Sequence, residues 1–172
     1  MNNAILRRMS VLAGATALAL SLAPPASAIW PTPGDLYQIE SLDPLFPRQC
    51  VRMADDRPGT INLVPCNQSF KPQQWQRLDG TDLTRLKNKA TGKCAVLIHD
   101  SLVGAIFGVL GRKCGALPAY EKWGYDDATM HIIFTDSGSS LCWTVLNGTI
   151  TAAACITPSL PAQQFRINTI TA

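Results

Sequence analysis

The sequence has almost no excess of charge of either sign. It carries 15 basic and 12 acidic side chains, and removing Arg7 and Arg8 with a cleaved leader leaves 13 against 12, a net charge near +1. The sequence has no cluster of basic residues. A nearly neutral chain of this kind argues against nucleic acid or an anionic membrane as its main partner.

Patterns typical of catalysis or metal binding are also missing. The chain has no Gly-x-Ser-x-Gly and no Cys-x-x-Cys, and its two histidines, His99 and His131, lie far apart in the sequence. A nucleophile elbow or a zinc site would need such spacings. The aspartate pairs at 55–56 and 126–127 cannot be assigned to glycoside hydrolysis, because the distance between carboxyl groups decides that chemistry. We therefore predict no enzymatic activity, no metal and no cofactor.

Long hydrophobic runs are confined to the N-terminus. Arg7 and Arg8 precede an apolar stretch over 11–23 and an Ala-Ser-Ala sequence at 26–28, which together predict a bacterial-type signal peptide over residues 1–28. The apolar stretch is shorter than the ~20 residues of a bilayer span, and no second one of that length follows. We therefore expect a secreted protein without a transmembrane segment, exported by the general secretory or the twin-arginine route.

Cysteines and aromatic residues, although few, recur in a fixed order. The second cysteine of each of three pairs is followed nine, nine and ten residues later by an aromatic residue that ends a (Gln/Glu)-x-aromatic triplet: Cys66 by Trp75, Cys114 by Trp123, and Cys155 by Phe165. Such a period is the mark of internal repeats. After a Pro-rich arm at 29–34 we predict three repeats at about 35–79, 81–126 and 128–170, which form one domain over 35–172.

The six cysteines of an exported chain predict disulfides, for which 15 connectivities are available. Zinc binding is the competing interpretation. The repeat favours the simplest pairing, in which each unit closes its own loop: Cys50–Cys66, Cys94–Cys114 and Cys142–Cys155. Short strand-like runs separated by turn residues, with no helix-period segment outside the leader, predict an all-β fold.

With these residues in view, the chain resembles the ricin B-type (R-type) lectins. The resemblance depends on Gln73-x-Trp75, Glu121-x-Trp123, Gln163-x-Phe165 and the three cysteine pairs, and it covers essentially the whole chain after the leader. It implies a β-trefoil of three four-stranded lobes with one disulfide in each. We predict that the rings of Trp75, Trp123 and Phe165 form the shared core.

The resemblance also implies sugar-binding positions, which are poorly matched. The family places an Asp two residues after the first cysteine, a Gln four before the second, an aromatic residue two before it, and an Asn-Gln pair at the start of the triplet. The first repeat has Arg52, Asn62, Val64 and Pro72-Gln73 there, and no repeat has the Asp or the ring. We nevertheless predict a site in the first repeat, since it is the least altered. Its candidates are Asn62, Gln73 and Asp55, with Trp143 as a stacking ring unless that ring lies in the core.

Two functions follow as hypotheses. The first is a monomeric, lectin-like module that binds glycans or glycoconjugates on a cell surface. The second is a protein-interaction module with a co-secreted partner, because the chain also resembles, more distantly, the binding subunits of cytolethal distending toxins, which are trefoils without these sugar-binding residues. An apolar insertion at 102–110 fits the second hypothesis if it is exposed and a buried strand if it is not.

Overall fold

The computed structural model describes residues 30–56, 58–98, 106–136 and 139–171, and the predicted signal peptide lies outside them. The described residues form twelve β-strands: β1 (Leu36–Ser41), β2 (Gln49–Met53), β3 (Ile61–Pro65), β4 (Trp75–Arg77), β5 (Thr84–Asn88), β6 (Lys93–Ile98), β7 (Phe107–Lys113), β8 (Lys122–Asp126), β9 (His131–Asp136), β10 (Ser139–Leu146), β11 (Thr149–Ala154) and β12 (Phe165–Thr169). Their helices are three single 3₁₀ turns at Lys71–Gln73, Pro118–Tyr120 and Pro161–Gln163. The all-β prediction is confirmed. None of the helices in these ranges is long and apolar enough to cross a membrane.

The strands divide into three lobes of four: β1–β4, β5–β8 and β9–β12. The first and last strands of the lobes form a ring of antiparallel neighbours, in which β4 pairs with β5, β8 with β9, and β12 with β1. Within lobes, β1 pairs with β4 and β5 with β8. In the third lobe the amide of Phe165 donates to the Met130 carbonyl at 2.8 Å, just before β9. The ring therefore closes on itself and leaves few free strand edges.

The middle strands of each lobe form a hairpin, and the three hairpins meet one another. The pairs are β2–β3, β6–β7 and β10–β11. Neighbouring hairpins touch through β3–β11, β11–β7 and a bridge between Thr60 and Leu110. Asn147 (φ 50°) and Gly148 (φ 75°) form the two-residue turn of the third hairpin, as a primed turn requires. The hairpins thus cap one end of the ring with approximate threefold symmetry.

Each hairpin is closed at its open end by one disulfide. The bridges are Cys50–Cys66, Cys94–Cys114 and Cys142–Cys155, with sequence separations of 16, 20 and 13. The predicted pairing, one bridge per repeat, is confirmed. In the chain-entropy account, loops of this size each destabilise the unfolded state by about 3 kcal/mol.

The core is built around one aromatic side chain at its centre. Trp75, Trp123 and Phe165, one from each lobe, are 0% exposed. Trp143 is equally buried, and its ring lies edge-on to all three, with centroids 6.2, 5.5 and 6.0 Å away. Edge-to-face packing at these distances adds to the gain from burial alone.

The first described residues of the arm before β1 pack against strands β4 and β8. Trp30 stacks on Tyr125, with centroids 5.3 Å apart, and the guanidinium of Arg77 lies 5.6 Å from the Trp30 ring. Arg77 Nη1 also donates to the Pro31 carbonyl at 2.7 Å. The first described residues of the Pro-rich segment are therefore part of the packed structure rather than a free extension.

The described part of the apolar insertion is a strand. Phe107–Leu110 begins β7, Val109 is 1% exposed, and the other three residues are half-buried. Residues 107–110 are therefore a strand, as the buried-strand interpretation requires, but only Val109 is fully buried, and 102–105 lie outside the described residues.

Acid is expected to destabilise the protein through His131. The side chain is 3% exposed, its Nε2 has no hydrogen-bond partner among the described residues, and burial lowers its pKa, against the opposing effect of Asp126. The unfolded chain therefore binds a proton more readily, so stability that is full above about pH 6.5 falls as the pH drops towards the folded-state pKa. Urea unfolding at pH 7.5 and 5.5 measures this loss. We expect a smaller loss for His131→Gln, and equal losses would contradict the assignment.

Candidate functional site

The first residue of each triplet stabilises a cysteine turn. Its side-chain oxygen accepts a hydrogen bond from the backbone amide that follows the second cysteine. These contacts are Asn67 to Gln73 at 2.7 Å, Gly115 to Glu121 at 2.7 Å, and Ile156 to Gln163 at 3.0 Å. All three acceptor residues are buried, with 0–2% exposure. The recurrence of Gln or Glu in the triplet is thus explained by the fold.

The two glutamines also donate to the carbonyl that precedes the same cysteine. Gln73 Nε2 bonds the Pro65 carbonyl at 2.7 Å and Gln163 Nε2 bonds that of Ala154 at 3.0 Å. Glu121 has no amide donor and lacks this second bond. Gln73 Oε1 additionally accepts from Gln38 Nε2 at 2.8 Å. The prediction of Gln73 as a ligand contact is therefore wrong, because its polar atoms are buried and committed to the protein.

Replacing Gln73 with Ala is expected to lower stability rather than only binding. The change leaves the Asn67 amide and the Pro65 carbonyl without their partner, at a cost of about 2 to 3 kcal/mol. The adjacent Gln74→Ala is the control, because Gln74 bonds the exposed Gln68 carbonyl, and it is expected to cost less than about 1 kcal/mol. Urea denaturation measures both. Equal stabilities for the two variants would contradict the role of Gln73.

Trp143 is a second correction. Its ring is 0% exposed at the centre of the core, so it offers no face to a sugar. The other interpretation of this residue, a place in the core, is the correct one. The sequence shows that this side chain is large and apolar, but it does not show whether the side chain is buried. A strand residue next to a cysteine faces the core or the solvent according to the register of the strand.

Asn62 and Asp55 each have a different partner. Asn62 is half-buried, and its Oδ1 accepts from Arg52 Nε at 3.0 Å. Asp55 is 83% exposed in its side chain and lies 3.4 Å from Lys93 Nζ. No hydrogen bond, ion pair or ring contact joins any two of the four predicted ligand residues in the described part of the chain. Asn62 and Asp55 remain accessible and remain predictions.

No metal site arises from the cysteines in the part of the chain that is described. The ligand atoms of His131, Cys142 and Cys155 lie within 4.8 Å of one another. The two sulfurs, however, are joined as a disulfide, and zinc binds thiolates.

A polar groove follows the pairing of β1 with β12, beside the first disulfide. We call it the β1–β12 groove. It measures about 530 Å³ and is lined by Gln38, Glu40, Arg48, Pro65, Cys66, Gln68 and Asn168. Glu40 and Asn168 are on the same face because Gln38 pairs with Asn168 and Glu40 with Arg166 in register.

Glu40 is the best-placed acceptor in this groove. Its Oε2 accepts from Asn168 Nδ2 at 2.9 Å and lies 3.7 Å from Arg166 Nη1. Its Oε1 has no hydrogen-bond partner among the described residues, and the side chain is 19% exposed. The carboxylate is therefore held in place with one oxygen available to an incoming donor.

Arg48 supplies a hydrogen-bond donor in the same groove. It is exposed and adopts a left-handed backbone conformation (φ 54°) that costs a non-glycine residue about 1 kcal/mol. Its guanidinium, with the side-chain amide of Gln68, has no hydrogen-bond partner in the described ranges. Carboxylate, guanidinium and amide groups together can donate to and accept from adjacent hydroxyl groups.

A second groove lies where lobe one meets lobe two, and we call it the lobe-junction groove. It measures about 490 Å³ and is lined by Asp56, Pro58, Lys93, Gly111, Arg112 and Lys113. At its floor two backbones cross, and the Gly111 amide donates to the Gly59 carbonyl at 2.7 Å.

Solved structures share this architecture. The β-trefoil lectin of the Vibrio vulnificus hemolysin/cytolysin, solved with N-acetyl-D-lactosamine bound, superposes with a TM-score of 0.60 at 15% identity, over 80% of this chain and 96% of that one. The fold is a β-trefoil. The designed threefold-symmetric protein ThreeFoil gives a TM-score of 0.62 at 13% identity, over 78% and 99% of the two chains.

A third match shows that the same trefoil also occurs within longer chains. PSL1a, solved in complex with E64, gives a TM-score of 0.64 at 14% identity over 81% of this chain, which spans 48% of the PSL1a chain. Neither a protein-family model nor a curated protein matches the sequence. The fold implied by the resemblance to the ricin B-type lectins is confirmed.

The groove residues were not predictable from the sequence. Glu40 and Asn168 are 128 residues apart and meet only because the first and last strands pair. Neither occupies a position that the lectin resemblance marks. The one available signal was the polar alternation of β1, in which Gln38 and Glu40 flank Ile39.

Proposed function

We propose that this protein is an exported, monomeric carbohydrate-binding module without catalytic activity, which recognises glycans or glycoconjugates at a cell surface through the β1–β12 groove. The observation that carries the proposal is Glu40, a carboxylate fixed by Asn168 with one oxygen unoccupied. Such an acceptor can receive hydrogen bonds from two neighbouring sugar hydroxyls without paying the cost of becoming ordered on binding.

The β-trefoil of the Vibrio vulnificus lectin, which was solved with a disaccharide, supports the class of ligand. The groove volume of about 530 Å³ is also within the usual range for small-ligand sites. Because five of the seven lining residues are polar or charged and none is aromatic, we expect hydrogen bonds rather than ring stacking to dominate, and therefore weak affinity for a single sugar.

The test is a glycan array probed with the purified, oxidised protein. We expect a coherent class of glycans to bind, and Glu40→Gln to weaken that binding about 10-fold or more, since a hydrogen bond to a charged group is worth about 1.5 to 3 kcal/mol. Asp127→Asn, at an exposed carboxylate that does not line the groove, has the same charge change and serves as the control.

Other outcomes place the function elsewhere. Loss of binding in Asn62→Ala but not in Glu40→Gln would move the site to the predicted position in lobe one. An array without binding would overturn the carbohydrate proposal and favour a co-secreted protein partner, to be captured by pull-down with the folded protein.

A further inference from the structure

The lobe-junction groove has a concentration of positive charge that the fold does not require. Lys93 and Lys113 are directly opposite each other in the β6–β7 pair, and like charges in that arrangement are destabilising. Arg112, the neighbour of Lys113 in β7, pairs with Cys94 and lines the same groove. A stability cost retained at a surface groove suggests that the charges serve a ligand.

The carboxylates nearby compensate this charge only in part. Lys93 Nζ is 3.4 Å from Asp55, whose side chain is 83% exposed, so solvent screens the pair. Asp56 accepts at both oxygens from Thr60, the backbone amide and the hydroxyl each at 2.8 Å, so its carboxylate makes no direct ion pair with the cations but keeps its negative charge. Three cations against these two acids leave a charge of +1, and Lys113 has no carboxylate partner in the described part of the chain.

Arg112 is held in position without being neutralised. Its Nη1 donates to the Pro58 carbonyl and, at 3.3 Å, to the Gly111 carbonyl. Both acceptors are uncharged, so the guanidinium keeps its full charge and its other nitrogens remain available. A planar guanidinium binds sulfate or carboxylate oxygens in pairs, and an adjacent lysine adds a mobile point charge.

We propose that the lobe-junction groove binds the anionic group of an acidic glycan, a sulfate ester or a carboxylate, as a second subsite on the module. The inference rests on the proposed carbohydrate-binding function, because a glycan carries the anionic group. Arg112 and Lys113 provide the anion contacts, and Lys93 exchanges its weak pairing with Asp55 for the ligand.

The test uses an array that contains matched neutral, sulfated and sialylated forms of the same glycans, followed by titration with the best-bound matched set. We expect an acidic form to bind at least 10-fold more tightly than its neutral parent, and this preference to decrease with added salt. Comparison of the sulfated with the sialylated form identifies which anion the groove prefers.

Variants test whether the preference for acidic glycans arises from the lobe-junction groove. Lys113→Gln alone, and Arg112→Gln with Lys113→Gln, should abolish it while neutral binding is kept. The single variant guards against loss of the Arg112 contact with Pro58, and thermal unfolding checks that both variants fold. Lys71→Gln with Lys89→Gln removes two exposed charges outside the groove and should keep the preference.

The two proposals fail in different ways. Neutral and acidic forms bound equally would overturn the anionic subsite and leave the carbohydrate proposal standing. Equal loss of the preference in the Lys71/Lys89 control would reduce the effect to net charge and also overturn the subsite. If no glycan is bound in any form, both proposals fail.

Discussion

Gly59→Ala is expected to lower the free energy of unfolding by about 3 to 5 kcal/mol. Gly59 has φ +89°, a region that side chains rarely adopt, and an added Cβ would lie 2.7 Å from the Gly111 carbonyl oxygen. Neither the loop at Gly59 nor strand β7 at Gly111 can move away cheaply, because the Gly59 carbonyl accepts the Gly111 amide at 2.7 Å. Equilibrium unfolding in urea measures the effect.

Gly34→Ala separates the two causes. Gly34 has φ +98°, close to that of Gly59, but an added Cβ there meets nothing within 4 Å. Its substitution should therefore show only the backbone strain, about 1 to 2 kcal/mol. If both variants lose the same stability, the close crossing of the lobes at Gly59 and Gly111 contributes nothing of its own.

The periodic features of the sequence predicted the fold because they are repeated. A triplet such as Gln73-x-Trp75 is weak evidence alone, but three copies in phase with three cysteine pairs specify a threefold structure. The physical reason is local: the aromatic ring enters the core and the Gln or Glu two residues earlier bonds the cysteine turn. The contacts that specify each lobe are therefore encoded within its own repeat.

The candidate site was less predictable because it is not repeated. Gln73 looked like a ligand residue since the lectin resemblance assigns its position to the sugar, yet the same side chain is used to hold the fold. Glu40 and Asn168 come together only through pairing of the first and last strands. No spacing in the sequence reports such a contact, whose register depends on closure of the whole ring.

Trp143 and Phe165 are expected to be energetically coupled, because their rings are in edge-to-face contact in the core, with centroids 6.0 Å apart. The positions after the first cysteine hold Val51 and Ala95 in lobes one and two, where the triplet ends in Trp75 and Trp123. In lobe three the position after the first cysteine holds Trp143, and the triplet ends in the smaller Phe165. Lobe three therefore places two large rings in the core where each of the other lobes places one ring and a small side chain.

Trp143→Val should cost about 3 kcal/mol or more, as expected for truncation of a buried tryptophan. Phe165→Trp should cost about 1 to 3 kcal/mol, because the larger ring collides with Trp143. The double variant restores the pattern of lobe one. In lobe one the Trp75 indole donates to the Val51 carbonyl at 2.9 Å. We expect the indole introduced at position 165 to donate in the same way to the backbone carbonyl of position 143.

We therefore expect the double variant to be more stable than the sum of the single changes by at least about 1 kcal/mol, measured as the coupling free energy of a urea-denaturation cycle. The double variant also removes a cost of the native core, since the Trp143 Nε1 is buried without a partner among the described residues. Leu141→Ala with Phe165→Trp provides a control on the same strand β10. Additivity within about 0.5 kcal/mol for the Trp143 pair would show that the two rings are independent.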